Sequence, residues 1–180
     1  EPTPLTQGWA GIVMEKGEDN LRFHIMKKGR YQGDKLRNAM ETVIRIVGSL
    51  HEEGMVWTEI KAENFVVQNH GSTIKGIDLE SAIYQKDLLA MYTAEACPPE
   101  FPIDDMYKCL PKIRMECSFD IWGLGMTLFE MATGKPFYVD GLTDLEYIKN
   151  RLRNPEEMIS DLDSKLFSVD LHTRLPLIHI

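Results

Sequence analysis

The chain has 180 residues, of which 43% are hydrophobic and 27% charged, and its 28 acidic and 20 basic side chains leave a formal net charge of -8 at neutral pH. That length makes one domain the default and is enough to bury a core. The acidic surplus argues against a general nucleic-acid binder or a protein of anionic membrane surfaces, and it disfavours acidic partners, since all of these want a basic surface.

From Asp34 to Glu53, Leu36, Met40, Val43, Ile44, Val47 and Leu50 recur at steps of three and four with charged residues between them, which predicts an amphipathic helix. Asp34 is suited to cap its first turn, and Gly54 to end it in the left-handed conformation that costs glycine nothing. Met55 to Gly76 reads as short strands around a loop. Phe65-Val66-Val67 is a strand-type run, Asn69-His70-Gly71 a turn, and Thr73 to Ile77 a second strand, so a hairpin follows the helix. Ser81 to Lys112 has little periodicity and reads as a long loop, a feature often functional in compact domains. Ser118 to Thr133 is apolar on nearly every side and stops at Gly134-Lys135-Pro136, which predicts a buried central helix. Thr143 with Glu146 forms a capping box, and Asn154-Pro155 opens a further helix carrying Met158, Ile159, Leu162 and Leu166.

Cys97, Cys109 and Cys117 are odd in number and lack Cys-x-x-Cys spacing, and the five histidines show no metal-ligand spacing. Reduced thiols are therefore expected, in a soluble protein of a reducing intracellular compartment. No apolar run approaches the ~20 residues of a membrane span, and the N-terminus lacks the pattern of a signal peptide. The first residue is Glu1, as in a processed product or a portion of something longer.

The chemistry concentrates in Trp57-Thr58-Glu59-Ile60-Lys61-Ala62-Glu63-Asn64, between helix and hairpin, and in Asp78-Leu79-Glu80, just past the hairpin. Phosphoryl transfer from a nucleotide needs a carboxylate near the attacking hydroxyl, a cation on the phosphate and oxygen ligands for magnesium. Glu59, Lys61, Asn64 and Asp78 supply those types in that order. With Cys97-Pro98-Pro99-Glu100 and Asp120-Ile121-Trp122-Gly123-Leu124-Gly125 downstream, the chain resembles a protein kinase. In that family a helix leads to a His-Arg-Asp-x-Lys-x-x-Asn loop, a hairpin, an Asp-Phe-Gly turn, an activation segment ending near Ala-Pro-Glu, and a buried helix beginning Asp-x-Trp-x-x-Gly.

The resemblance implies a mainly α fold with small β hairpins, an α+β C-terminal lobe with the N-terminal lobe largely absent from the chain. Residues 1–17 would be the last N-lobe strand and hinge, and 18–180 the C-lobe. Within the latter, 34–53 would be its helix, 55–80 the catalytic loop and hairpin, 81–100 the activation segment and 118–133 the buried helix. Glu59 and Lys61 would be catalytic, Asn64 and Asp78 metal ligands, Met14 the gatekeeper, Glu15 part of the hinge, and Val66 the floor of the adenine pocket. The aspartate that opens the buried helix, Asp120 here, holds the catalytic-loop backbone in the family. Lys61, two positions after Glu59, is of the serine/threonine type.

The departures are as specific. Glu59 stands where the family has aspartate, and an added methylene moves the carboxylate by about an ångström, enough to cost ~100-fold in rate. Trp57 and Thr58 replace histidine and the arginine that pairs with a phosphorylated activation segment, and Glu80 replaces the glycine after Asp78, which should stiffen that turn. Nothing before Gly11 reads as a Gly-rich loop or a strand lysine, and Arg174 is the one candidate partner for Glu100. The expected function is a pseudokinase that acts through protein binding. Its alternatives are the C-terminal part of an active serine/threonine kinase and a structural subunit of a larger assembly. ATP and Mg2+ would be cofactors where a missing lobe completes the site. The interlobe face, with Ile12, Met14, Val66 and Leu79, would be covered by that lobe or by a protein partner. Trp57 and Trp122 are expected in the core, Glu63 in a salt bridge or facing solvent, and Ser81, Tyr84, Tyr92 and Thr93 are candidate phosphorylation sites.

Overall fold

The computed structural model describes residues 13–89, 92–93, 96–98, 114–138 and 154–167. Their elements run β1 (Asp19–Asn20), α1 (Leu21–Lys28), α2 (Gly33–Glu52), β2 (Met55–Val56), β3 (Phe65–Gln68), β4 (Thr73–Gly76), β5 (Ile83–Tyr84), α3 (Cys117–Thr133) and α4 (Pro155–Phe167). Short 3-10 turns at Ala62–Asn64 and Asn69–Gly71 precede and follow β3. The capping box at Thr143 and Glu146, the residues Pro99 and Glu100, and Arg174 lie outside the described residues.

The periodic segment forms α2, with Leu36, Met40, Val43 and Val47 buried along one face. Its start differs from expectation. Gln32 occupies the N-cap position without a side-chain cap bond, and Asp34 sits inside the first turn, exposed and 3.6 Å from Arg37. Gly54 leaves the helix with φ of 71°, and its N–H donates to the carbonyl of His51. The expected hairpin forms as β3 and β4, antiparallel, pairing Phe65 with Gly76 and Val67 with Ile74. β1 adds to the other edge of β3, giving the order β1-β3-β4.

Three elements were not anticipated, namely β1 at the sheet edge, α1 and β5. α1 buries only Leu21 and Ile25 while Phe23 and Met26 face solvent, so its apolar residues make no stripe to read in the sequence. Asn20 caps it by accepting the N–H of Phe23 at 2.8 Å. β5 pairs with β2 inside the stretch expected to be loop, Met55 opposite Tyr84 and Val56 opposite Ile83.

α3 is the central helix, starting one residue before the expected boundary, though Ile121 is 53% exposed and so interrupts its apolar surface. Leu124, Leu128, Met131 and Ala132 pack with α1, α2 and the hairpin, while Phe119 and Phe129 pack with Val56, Leu89, Cys97, Met115 and Phe137. One helix thus joins two apolar clusters, each fully buried aliphatic or aromatic side chain contributing about 1.5–3 kcal/mol. α4 docks on the second cluster through Leu162, with Lys165 Nζ 4.7 Å above the Phe137 ring. No described helix is long and apolar enough to cross a membrane.

Candidate catalytic loop

Asp120, in the first turn of α3, is 1% exposed, and a lone carboxylate so buried would be very costly. Three donors compensate. The backbone N–H groups of Trp57 and Thr58 each donate to it at 2.8 Å, and His51 Nε2 lies 2.8 Å from the same group. Hydrogen bonds to a charged acceptor are worth about 1.5–3 kcal/mol each, enough to fix the chain at 57–58 in an otherwise unfavourable shape. Thr58, a β-branched residue, has φ of 69°, in the left-handed region that such residues avoid. Its hydroxyl donates to the Ser81 carbonyl at 3.1 Å, the Ser81 hydroxyl donates to the Trp57 carbonyl at 3.0 Å, and Trp57 Nε1 donates to the Asp78 carbonyl at 2.9 Å. Segments 57–64 and 78–81 are therefore stitched to one another and to α3.

α3 approaches this loop closely at Gly123, where an added Cβ would stand 2.7 Å from the Ile60 carbonyl oxygen. A larger residue there would push the loop away. On the loop's far side Arg22 of α1 donates from Nε to Glu130 Oε1 at 3.0 Å and from Nη1 to Glu63, tying the loop's acid to a buried acid of α3. Glu63 is thus the salt-bridging residue expected. Neither Arg22 nor Glu130 was singled out, since α1 itself carried no signal.

The four candidate chemical residues hang from this frame. Lys61 Nζ lies 3.8 Å from Glu59 Oε1 and donates to the Thr93 hydroxyl at 2.9 Å, and that hydroxyl donates in turn to Glu59. Asn64, 4% exposed, donates its amide N–H to the Glu59 carbonyl at 2.9 Å, and its side-chain oxygen meets no donor among the described residues. Its backbone carbonyl accepts the N–H of Ile77, so Asp78 follows a residue pinned to Asn64. Asp78 is exposed, with φ of 61°. An amide oxygen and a carboxylate are hard ligands of the kind magnesium takes, water and phosphate oxygens supplying the rest.

Met14 and Glu15 sit apart from that cluster. Met14 is 69% exposed, and Glu15 pairs with Lys75 of β4, which holds its carboxyl below the usual carboxylate range. Val66 is half-buried, because Gly17 lies so close that a Cβ there would collide with Val66 Cγ1. Ser81 is 2% exposed with its hydroxyl bonded, which removes it as an accessible phosphorylation site, and Thr93 is committed between Glu59 and Lys61. Thr93 stands 34 and 32 residues from those partners, a separation no sequence pattern announces. Trp57 is fully buried, edge-on to Phe65, as expected of a core residue.

The model of the protein kinase domain family matches residues 6–176. The chain is 29% identical over 153 residues to a probable cAMP-dependent protein kinase catalytic subunit of Encephalitozoon cuniculi, covering 82% of this chain and 44% of that protein. It is 32% identical over 137 residues to the serine/threonine-protein kinase pim-2 of Danio rerio, covering 72% and 41% respectively. The chain spans less than half the length of either relative. Among solved structures it is similar in fold to a chain of the yeast RNA Pol II CTD kinase CTDK-1 complex, with a TM-score of 0.60, 18% identity, and coverage of 73% of this chain and 43% of that one. With the family match running through every element of the loop just described, this chain belongs to the protein kinase family.

Proposed function

We propose that the chain is the C-terminal lobe of a kinase-like domain in which phosphoryl transfer is weak or lost and whose main work is protein binding. The observation that carries this reading is Glu59. Its side chain is one methylene longer than the aspartate of the family pattern, and its carboxylate is already engaged by the Thr93 hydroxyl with Lys61 beside it. A base must meet the substrate hydroxyl within about 2.6–3.2 Å, and this one is displaced and occupied. In the same reading residues 13–17 form the hinge, Met14, Glu15 and Val66 meet the adenine of ATP, and Asn64 and Asp78 hold Mg2+. The metal, when bound, offsets charge on the phosphates. The exposed apolar groups Val13, Met14 and Leu79 are 99%, 69% and 47% exposed and belong under a covering lobe or protein partner.

The second reading, a portion of an active serine/threonine kinase, is favoured by relatives named as kinases. Phosphate transfer to a peptide separates the two. In a product that carries an N-terminal lobe ahead of this chain, transfer is expected near background and Glu59→Asp is expected to raise it ~100-fold. Strong transfer without that change overturns the first reading in favour of the second. Partner binding has its own check. Met14→Asp is expected to weaken association with the covering lobe or partner, read by sedimentation, while the far-ultraviolet circular dichroism of the chain stays unchanged.

A further inference from the structure

The turn that follows Asp78 is held to the loop at 57–58 by side chains. Before it, the Ile77 N–H donates to the Asn64 carbonyl at 2.9 Å, and after it Ile83 pairs with Val56 of β2. Between these two ties the backbone closes on itself, the Ala82 N–H donating to the Leu79 carbonyl at 3.1 Å. Leu79 is 47% exposed and Glu80 is exposed as well, so neither packs the turn down. Glu80 and Ser81 occupy its centre, and neither takes a positive φ. The turn therefore needs no glycine, and its rigidity has a source other than Glu80.

Ser81 supplies that source. It is 2% exposed, its hydroxyl donates to the Trp57 carbonyl at 3.0 Å, and its own carbonyl accepts the Thr58 hydroxyl at 3.1 Å. Trp57 then returns to the turn, its indole Nε1 donating to the Asp78 carbonyl at 2.9 Å. The result is a closed circuit: Asp78 to Ser81 along the chain, Ser81 to Trp57 by the hydroxyl, and Trp57 back to Asp78 by the indole. Trp57 and Thr58 are both 0% exposed, so water does not compete for these groups. None of the bonding atoms is ionised, so the circuit closes without a phosphate or a metal. Asp78 has φ of 61°, a left-handed conformation that aspartate visits as one of several. With the Ile77 N–H bonded on one side and its own carbonyl bonded on the other, it is kept there, and the direction of its exposed carboxylate is fixed.

We propose that Ser81 is a positioning residue: acting through Trp57, it holds Asp78 in a single conformation before any ligand arrives. What the fixed carboxylate is for rests on the reading above, in which Asp78 takes Mg2+. A ligand group fixed in advance loses less freedom when it meets a metal, which strengthens binding. A serine that merely satisfied buried polar atoms would lower stability when removed and leave Asp78 where it is.

Exchange of the Trp57 indole proton with water, followed by NMR in the 180-residue chain well below its melting temperature, reports the circuit directly. Ser81→Ala is expected to speed it about tenfold, the worth of one net hydrogen bond. Val43→Ala, a change in the buried face of α2, is expected to lower the melting temperature at least as much and leave the exchange within about twofold. Thr58→Val removes one bond onto Ser81, is expected to speed exchange about threefold, and serves where Ser81→Ala does not fold. Mn2+ gives a second readout through the broadening of the Asn64 and Asp78 amide signals. Asp78→Ala is expected to abolish its binding, Ser81→Ala to weaken it about tenfold, and Val43→Ala to leave it unchanged. Exchange no faster in Ser81→Ala and Thr58→Val than in Val43→Ala overturns the proposal. So does faster exchange with an unchanged, Asp78-dependent affinity for Mn2+, since the serine would then fix the indole and not the carboxylate. Mn2+ binding that is absent, or that survives Asp78→Ala, instead overturns the metal reading of Asp78, and the exchange rates alone then decide the role of Ser81.

Discussion

Residues 57–64 carry the candidate catalytic groups and residues 13–17 the proposed hinge, and they are held in opposite ways. The first segment is clasped from three sides by polar groups, with Asp120 beneath, Ser81 and Asp78 beside, and Arg22 bridging Glu63 to Glu130. The second is a strap on the surface, joined to the sheet by the Gln68 amide donating to the Lys16 carbonyl and by the Glu15–Lys75 pair, with Val13 and Met14 bare. A site that must keep four chemical groups in register needs the first kind of support. A segment whose apolar side chains face outward is one whose support lies elsewhere.

Breaking the clasp at its centre should have the largest effect. Asp120→Ala leaves the N–H groups of Trp57 and Thr58 buried without acceptors and removes what holds Thr58 at positive φ. A loss of about 3–5 kcal/mol is expected, as when one partner of a buried charged network is removed, measured by urea unfolding of the chain. Loss below about 1 kcal/mol would mean that the loop is held chiefly by apolar packing.

The next effect tests the clasp from α1. Arg22→Ala removes the arginine that Glu130, which is 2% exposed, shares with Glu63. Arg22 itself keeps some solvent contact, so the expected loss is smaller, about 2–3 kcal/mol in the same unfolding experiment. Glu130→Gln in that background should recover part of it by neutralising the buried acid. No recovery would place the cost in lost packing of the arginine stem.

The order of the elements was legible because it is written in local pattern. The stripe of α2, the Phe65-Val66-Val67 and Thr73–Ile77 runs, and the apolar block of α3 each follow from the spacing of their own residues, and the structure has them within a residue or two. What was not legible depends on partners far away in the chain. α1 is a short helix with its apolar residues divided between core and solvent, and its Arg22 meets acids 41 and 108 residues off. Thr93 looked like an exposed hydroxyl because its partners, Glu59 and Lys61, lie across the fold. Asp34 was read as a cap from its type alone, whereas the helix begins at Gly33 and so encloses it. Residue types announced which groups the loop could contain, and only the long-range bonds to Asp120 and Ser81 determined how they are presented.

The smallest expected effect belongs to the strap. Glu15 is exposed, and its hydrogen bond and charge contact with Lys75 lower its carboxyl pKa in the folded chain. A depressed carboxyl contributes stability that is present above its unfolded value and is lost as pH falls through the folded value. Lys75→Ala should therefore unfold slightly more easily than the parent chain at neutral pH, and the two should converge at acid pH, once Glu15 is protonated. Paired urea titrations at the two pH values check this, with the Glu15 carboxyl followed by NMR and expected to titrate higher in the variant. A difference that persists at low pH would show that the lysine stem, rather than its charge, secures the strap on β4. In that case residues 13–17 would be held to the sheet by packing, and the contrast with the clasped loop would be one of degree.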